Sequence, residues 1–101
     1  LVEPRGLIVY QFGDAPPPER EIMVTDYRGR ALNVVRAEIS TPLASARVTA
    51  RDADADGHPR TRIAVQVAGD LPRGVHRGLV TIHTSDAAFP RLHVPLLIER
   101  R

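Results

Sequence analysis

Three aspartates at alternate positions form the most chemically suggestive stretch of this sequence. Asp52, Asp54 and Asp56 precede Gly57 in the segment RDADADGHPR, residues 51–60. This spacing is typical of the start of a calcium loop of twelve residues, in which carboxylates at positions 1, 3 and 5 bind the ion and a glycine at position 6 makes the turn. Such a loop also requires a bidentate glutamate at its last position.

The rest of the segment does not continue the calcium pattern. The last loop position falls on Ile63, which fits the apolar alternation of a following strand, and position 9 falls on Arg60. Asp and Gly are also favoured in turns, because Asp hydrogen-bonds the nearby backbone and Gly adopts positive φ. We therefore interpret residues 52–59 as a loop between strands. Weak calcium binding by the three aspartates is the alternative.

The other reactive residue types form no pattern that indicates catalysis. His83 and His93 would provide two imidazoles on one sheet face, whereas a zinc site needs three or four protein ligands. The chain has no cysteine, and its seven glycines are dispersed. None of the serines lies in a Gly-x-Ser-x-Gly setting; they are Ser40, Ser45 and Ser85. We expect no enzymatic activity and no required cofactor.

Composition excludes several classes of partner. The 101-residue chain has a formal net charge of +2, and its fourteen basic residues are all arginines interleaved with acids. Nucleic-acid binding needs clustered positive charge, usually with stacking aromatic residues, so we do not expect it. No apolar run approaches the roughly 18–20 residues of a membrane span. The length predicts one domain over residues 1–101, which we interpret as a segment of a larger protein.

Apolar residues alternate with polar residues along most of the chain, which predicts β-strands. Turn-forming segments rich in Pro, Gly and Asp separate these runs and leave no convincing helical period. About seven short strands at this spacing predict an antiparallel β-sandwich. The predicted strands include or surround residues 7–12, 22–24, 32–39, 46–50, 63–67, 80–82 and 92–98.

The last two strands predict a pairing and an exposed apolar patch. If Ile82 opposes Val94 inside the core, the alternate residues of both strands share the outer face. Pro95 marks either a sheet edge or an unpaired register, because proline has no N–H to donate. The outer residues would form a partner surface unless the N-terminal strand or a neighbouring domain covers them. That surface pairs Leu79 with Leu97 and Thr81 with Pro95.

The C-terminal segment DLPRGVHRGLVTIHTSDAAFPRLHVPLLIE, residues 70–99, resembles the closing segment of a bacterial Ig-like family whose members are largely of unknown function. The N-terminal segment, residues 11–35, resembles the same family through its Phe-Gly pair and a later Ala-Leu step. Asp26 and Ile98 depart from the family pattern, which has Asn and Gly there. The matched positions are Phe12, Gly13, Ala31, Leu32, Pro72, Gly74, Gly78, Val80, Ile82, Thr84, Ser85, Asp86, Pro90, Val94, Pro95 and Leu96.

This family looks similar to the wider hydin-like and major-sperm-protein-like group of Ig folds. The resemblance implies an all-β, Ig-like antiparallel sandwich of about seven strands. It also implies a non-enzymatic module of a larger exported bacterial protein, located outside the cytoplasm, that acts as a spacer or docks a protein partner or neighbouring domain. The alternatives are a calcium-stabilised adhesion-type module using Asp52, Asp54 and Asp56, and an accessory domain of a hydrolase.

Overall fold

The computed structural model describes residues 2–11, 17–27 and 33–100, which contain eight β-strands and no helix. The strands are short at the N-terminus and longer in the second half of the chain. They are β1 (Val2–Glu3), β2 (Leu7–Gln11), β3 (Arg20–Thr25), β4 (Val34–Ile39), β5 (Ala44–Ala53), β6 (Pro59–Val67), β7 (Gly74–Thr84) and β8 (Arg91–Arg100).

The strands form two four-stranded sheets. Sheet A has the order β1-β3-β6-β5 and is antiparallel; sheet B has the order β2-β8-β7-β4, with β2 parallel to β8. When β1 and β2 are treated as two halves of one first strand, this is the order of a constant-type immunoglobulin sandwich. The predicted all-β, Ig-like sandwich is therefore confirmed.

The seven predicted strands are present, and the two-residue β1 was not predicted. Four residues that carried the resemblance, Phe12, Gly13, Ala31 and Leu32, lie outside the described residues.

Alternation places one face of each sheet in an aliphatic core. Val80 and Ile82 of β7 and Val94 of β8 are completely buried, as the period of two predicts. Burying a side chain of this size contributes about 1.5–3 kcal/mol to the free energy of unfolding. The other fully buried apolar side chains are Val9, Ile22, Val34, Ile63, Val65, Leu71, Leu96 and Ile98.

The loop between β6 and β7 closes one end of the sandwich. Leu71 in this loop is completely buried, and its carbonyl accepts a hydrogen bond from the Arg100 guanidinium. The buried Gln11 side chain donates from Nε2 to the carbonyl of Gly69 at 2.9 Å. Asp70 and Pro72, which flank Leu71, are typical turn residues. The loop is therefore also part of the core.

A charged side chain connects the two sheets at their edges. Strand β5 is an edge of sheet A, and β4 is an edge of sheet B. Arg51 of β5 donates from Nη2 to the carbonyl of Val34 in β4 at 2.8 Å. The register of β5 also shifts between Val48 and Ala50. A bulge and exposed charges both disfavour pairing of an edge strand with another chain.

The register predicted between the last two strands is wrong by two residues. Val80 lies opposite Val94, and Ile82 lies opposite Leu92. A shift of two residues leaves every side chain on its predicted face, so the apolar alternation cannot distinguish the two registers. The turn between β7 and β8 selects the observed register. In it the Thr84 N–H donates to the carbonyl of Pro90 at 2.9 Å, and the Thr84 hydroxyl donates to the carbonyl of Phe89 at 2.6 Å.

Pro95 lies in a central strand, so the edge interpretation of this residue is wrong and the unpaired-register interpretation is confirmed. Its partner Leu79 donates its N–H to Ser40 Oγ at 2.9 Å and accepts from the Ser40 N–H at 3.0 Å. Because Leu79 directs both backbone groups towards Ser40, the Leu79–Pro95 pair needs no donor from the proline. On its other side, β8 meets β2 only from Leu96, opposite Leu7, onwards.

We predict that Leu71→Ala lowers the free energy of unfolding by about 2–5 kcal/mol, because it leaves a cavity in the core. Leu79→Ala is the matched control: it removes the same atoms from a side chain that is 36% exposed, and should cost about 1 kcal/mol or less. Urea denaturation of both variants measures the difference. Equal losses would contradict a core role for the loop.

Candidate functional site

The structure separates the roles of the three aspartates singled out as calcium ligands. Asp52, near the end of β5, lies opposite Arg60 of β6. Arg60 donates to both carboxylate oxygens of Asp52, from Nε at 2.8 Å and from Nη2 at 3.1 Å, and Arg62 Nε lies 3.4 Å from the same carboxylate. The hydrogen bond from Arg60 is the main cause that lowers the pKa of Asp52. Asp52 therefore pairs the two strands of the hairpin.

Asp54 organises the turn of this hairpin. Its Oδ1 accepts from the backbone N–H of His58 at 2.8 Å and from that of Asp56 at 3.0 Å. Its backbone carbonyl accepts from the N–H of Gly57 at 3.0 Å, and Gly57 has φ +83°. The backbone hydrogen bond from His58 is the main cause that lowers the pKa of Asp54. This is the turn chemistry of Asp and Gly that the sequence predicted.

The side chains that approach one another in this loop are Asp54, Asp56 and His58. One potential ligand atom from each of the three lies within 4.8 Å of the others. Asp52 does not belong to this group, and His58, which was not predicted as a ligand, does. His58 Nδ1 lies 3.0 Å from Asp54 Oδ2, and the His58 ring contacts the Tyr27 ring edge-on, with centroids 4.9 Å apart. The carboxylate of Asp54 is thus occupied by protein contacts.

The four residues predicted as an interaction surface all point outwards from sheet B. Leu79 lies opposite Pro95, and Thr81 lies opposite His93, so the predicted partners are wrong although the predicted face is correct. Leu97 lies between Arg77 of β7 and Ile8 of β2. Strand β2 therefore lies beside β8 and extends the predicted surface instead of covering it.

An apolar patch covers one half of this outer face of sheet B. Within the described residues seven large apolar side chains are exposed, and four of them lie here, including Ile8 at 52% and Val75 at 53%. Ile8, Tyr10 and Val75 were not predicted as part of this surface, although the alternation of Ile8 and Tyr10 with the buried Leu7 and Val9 indicates that both are exposed. We define the apolar patch as Ile8, Tyr10, Val75, Leu79, Pro95 and Leu97.

A shallow groove of about 460 Å³ runs through the apolar patch. Gly6 leaves room in it because it has no side chain, while Ile8, Pro95 and Leu97 provide apolar walls. The guanidinium-bearing Arg77 also lines the groove. A concave, mostly apolar surface with a placed charge is typical of sites that bind another molecule.

The other half of the sheet B outer face is polar. His83 lies opposite Arg91 instead of His93, so the two histidines are not the directly opposed pair that was predicted. His83 Nε2 lies 2.7 Å from Glu38 Oε1, and this hydrogen bond is the main cause that lowers the pKa of Glu38. His93 Nδ1 lies 3.4 Å from Thr81 Oγ1. The two histidines thus have separate partners and do not converge on one site.

The described residues form an Ig-like β-sandwich. Neither the protein-family models nor the curated proteins nor the solved structures contain a match to this chain. Within the described residues, no helix has the length and apolar character that crossing a membrane requires.

We predict that Asp54→Ala lowers the melting temperature, because two backbone N–H groups lose their acceptor, while Asp54→Asn retains Oδ1 and loses less. The exposed neighbour Asp56→Ala is the control and should change little. Because the folded-state pKa of Asp54 is lowered, its stabilising contribution is present above the ordinary carboxyl pKa and is lost as pH falls through the folded-state value. Equal melting curves for Asp54→Ala and Asp56→Ala would contradict this assignment.

We also predict that calcium on the order of 1 mM, the range of weak extracellular modules, leaves the melting temperature of the chain unchanged relative to chelator. The reason is that Arg60 already holds Asp52, while backbone N–H groups and His58 hold Asp54. Thermal denaturation with calcium and with EDTA provides the measurement. A rise in melting temperature that Asp56→Ala abolishes would restore the calcium interpretation.

Proposed function

We propose that this chain is a non-enzymatic docking module of a larger protein and that the sheet B outer face is its docking surface. One observation carries the proposal: most of the exposed large apolar side chains of the described residues are gathered on this face, around a groove. Soluble proteins rarely expose contiguous apolar patches larger than a few hundred Å², and the largest exposed patch is often an interaction site.

The architecture supports this assignment because the docking surface lies on a rigid part of the fold. Leu97 and Pro95 belong to β8, which is paired on both sides, and Leu79 belongs to β7, which is also paired on both sides. The inward neighbours Val80, Val94 and Leu96 are buried and fix the orientation of both strands. A surface of this kind is preorganised and loses little conformational entropy on binding.

The bacterial, exported setting of the proposed module rests on the family resemblance and stays a prediction. The docked molecule in this proposal is a protein partner or a neighbouring domain of the same protein. In both cases the partner would bury the apolar patch.

Site-specific photocrosslinking tests the docking surface in the natural host. A benzoylphenylalanine placed at Leu79 or at Leu97 should form a covalent adduct with a polypeptide, because both side chains lie in the docking surface. The same group at Met23 or at Ser45, on the outer face of sheet A, is the matched control and should form none.

A second experiment places the benzoylphenylalanine at Thr81. The double variant Leu79→Asp and Leu97→Asp should abolish the adduct formed there, because it places two charges in the apolar patch. The control double variant Met23→Asp and Ser45→Asp should leave that adduct unchanged. Adducts of equal yield from both sheets, or none from sheet B, would overturn the proposed function.

A further inference from the structure

The arginines on the outer face of sheet A are paired with carboxylates of the same face. Arg60 binds Asp52, with N–O distances of 2.8 and 3.1 Å. Arg62 binds Glu21 at 2.8 Å. Arg47, further along β5, lies 3.7 Å from Glu19. This face therefore satisfies its own charges, as expected of a surface that faces solvent.

The arginines on the outer face of sheet B are arranged differently. Arg36, Arg77 and Arg91 are exposed, and none of them makes a salt bridge or a side-chain hydrogen bond with another residue in the described part of the chain. This face has two acids among the described residues. Glu38 is hydrogen-bonded to His83, and the nearby charges of Arg36 and Arg91 also lower its pKa, while Glu99 lies beside Tyr10. Three arginines against two carboxylates leave an excess of positive charge on this face, and Arg77 lies within the apolar patch.

The position of Arg77 links this charge to the groove. Arg77 lies directly opposite Leu97, which in turn lies opposite Ile8, so a cation and two apolar side chains form one row across the sheet. Arg91 and Arg36 lie on either side of His83 at the far end of the same face. A ligand along β7 and β8 would meet the cation of Arg77 among the apolar side chains, and the cations of Arg91 and Arg36 at the far end of the face.

We propose that the occupant of the docking surface is an acidic polypeptide segment, with apolar side chains that fill the groove and carboxylates that pair with Arg77, Arg91 and Arg36. This inference rests on the proposed function and specifies the chemistry of the partner. Guanidinium groups suit such a partner, because their planar donors bind carboxylates in a bidentate manner. Complementary charge would also speed association and select against basic partners.

A second copy of this chain fits the surface less well. Two sheet B faces brought together would place three arginines of each copy against a face that also carries excess positive charge. Like charges across an interface disfavour association. An acidic segment removes this repulsion and supplies carboxylates for the excess positive charge.

Selection from a random peptide library tests the inference. The chain is immobilised and peptides are selected on it, with the Leu79→Asp and Leu97→Asp double variant as the counter-selection. The enriched peptides should combine apolar residues with Asp and Glu, and should lack Lys and Arg. Their binding should weaken as salt is raised, because exposed charge pairs are screened.

Charge reversal provides the second measurement on the same peptides. Arg77→Glu should weaken binding by at least about tenfold, because it turns an attraction within the groove into a repulsion. Arg47→Glu, which reverses an exposed arginine on sheet A, is the matched control and should leave the affinity unchanged. Circular dichroism of both variants verifies that the sandwich remains folded.

The outcomes separate this inference from the docking surface itself. Enriched peptides that depend on Leu97 but show no acidic bias would overturn the acidic partner and leave the docking surface intact. An absence of enriched peptides would overturn the acidic partner, and the docking surface would then depend on the crosslinking result alone. Co-sedimentation of the chain with phosphatidylserine vesicles would assign the surface to a membrane. Self-association that Leu97→Asp abolishes would assign it to a second copy of the chain. Either result would overturn the acidic polypeptide as the partner.

Discussion

The pairing of β8 along both of its edges is the constraint on which the rest of the structure depends. Strand β7 pairs with β8 over ten residues and β2 over five, so side chains of β8 cannot exchange faces without breaking both ladders. One set of side chains is thereby committed to the core through Val94, Leu96 and Ile98. The other set, with Pro95 and Leu97, is committed to the outer face. The core and the docking surface are therefore two results of one alternation.

Sequence reasoning succeeded where the relevant information is local. The alternation of Val80 and Ile82 with Leu79 and Thr81 determines the two faces within a single strand, and both were predicted correctly. The predicted register of β7 and β8 was wrong, because a shift of two residues preserves that alternation and only the turn at Thr84 distinguishes the two pairings. The exposure of Ile8 and Tyr10 follows from a local alternation, but their place beside Leu97 and Glu99 depends on the parallel pairing of β2 with β8, which no local pattern encodes.

The aspartate segment shows how one residue pattern serves two chemistries. Alternate aspartates before a glycine suit a calcium loop, but alternate residues in a strand also share a face, which places Asp52 beside Arg60. Asp54 then lies at the turn, where its carboxylate accepts backbone N–H groups. The sequence thus predicts which kinds of contact this hairpin makes. The approach of His58 to Asp54 and Asp56 depends on the folded shape of the turn. The same arginine pairing leaves the sheet A face electrostatically satisfied and sets it apart from sheet B.

If the outer face of sheet B is the docking surface, a partner should bury this face and leave the outer face of sheet A exposed. Hydroxyl-radical footprinting tests it directly when modification of the chain in intact cells is compared with that of the purified chain. We predict that Tyr10, Leu79 and Leu97 are protected in cells, while Met23, on the outer face of sheet A, is modified equally in both samples. Equal modification of the sheet B residues in the two samples, or protection of Met23 alone, would contradict the assignment of sheet B as the docking surface.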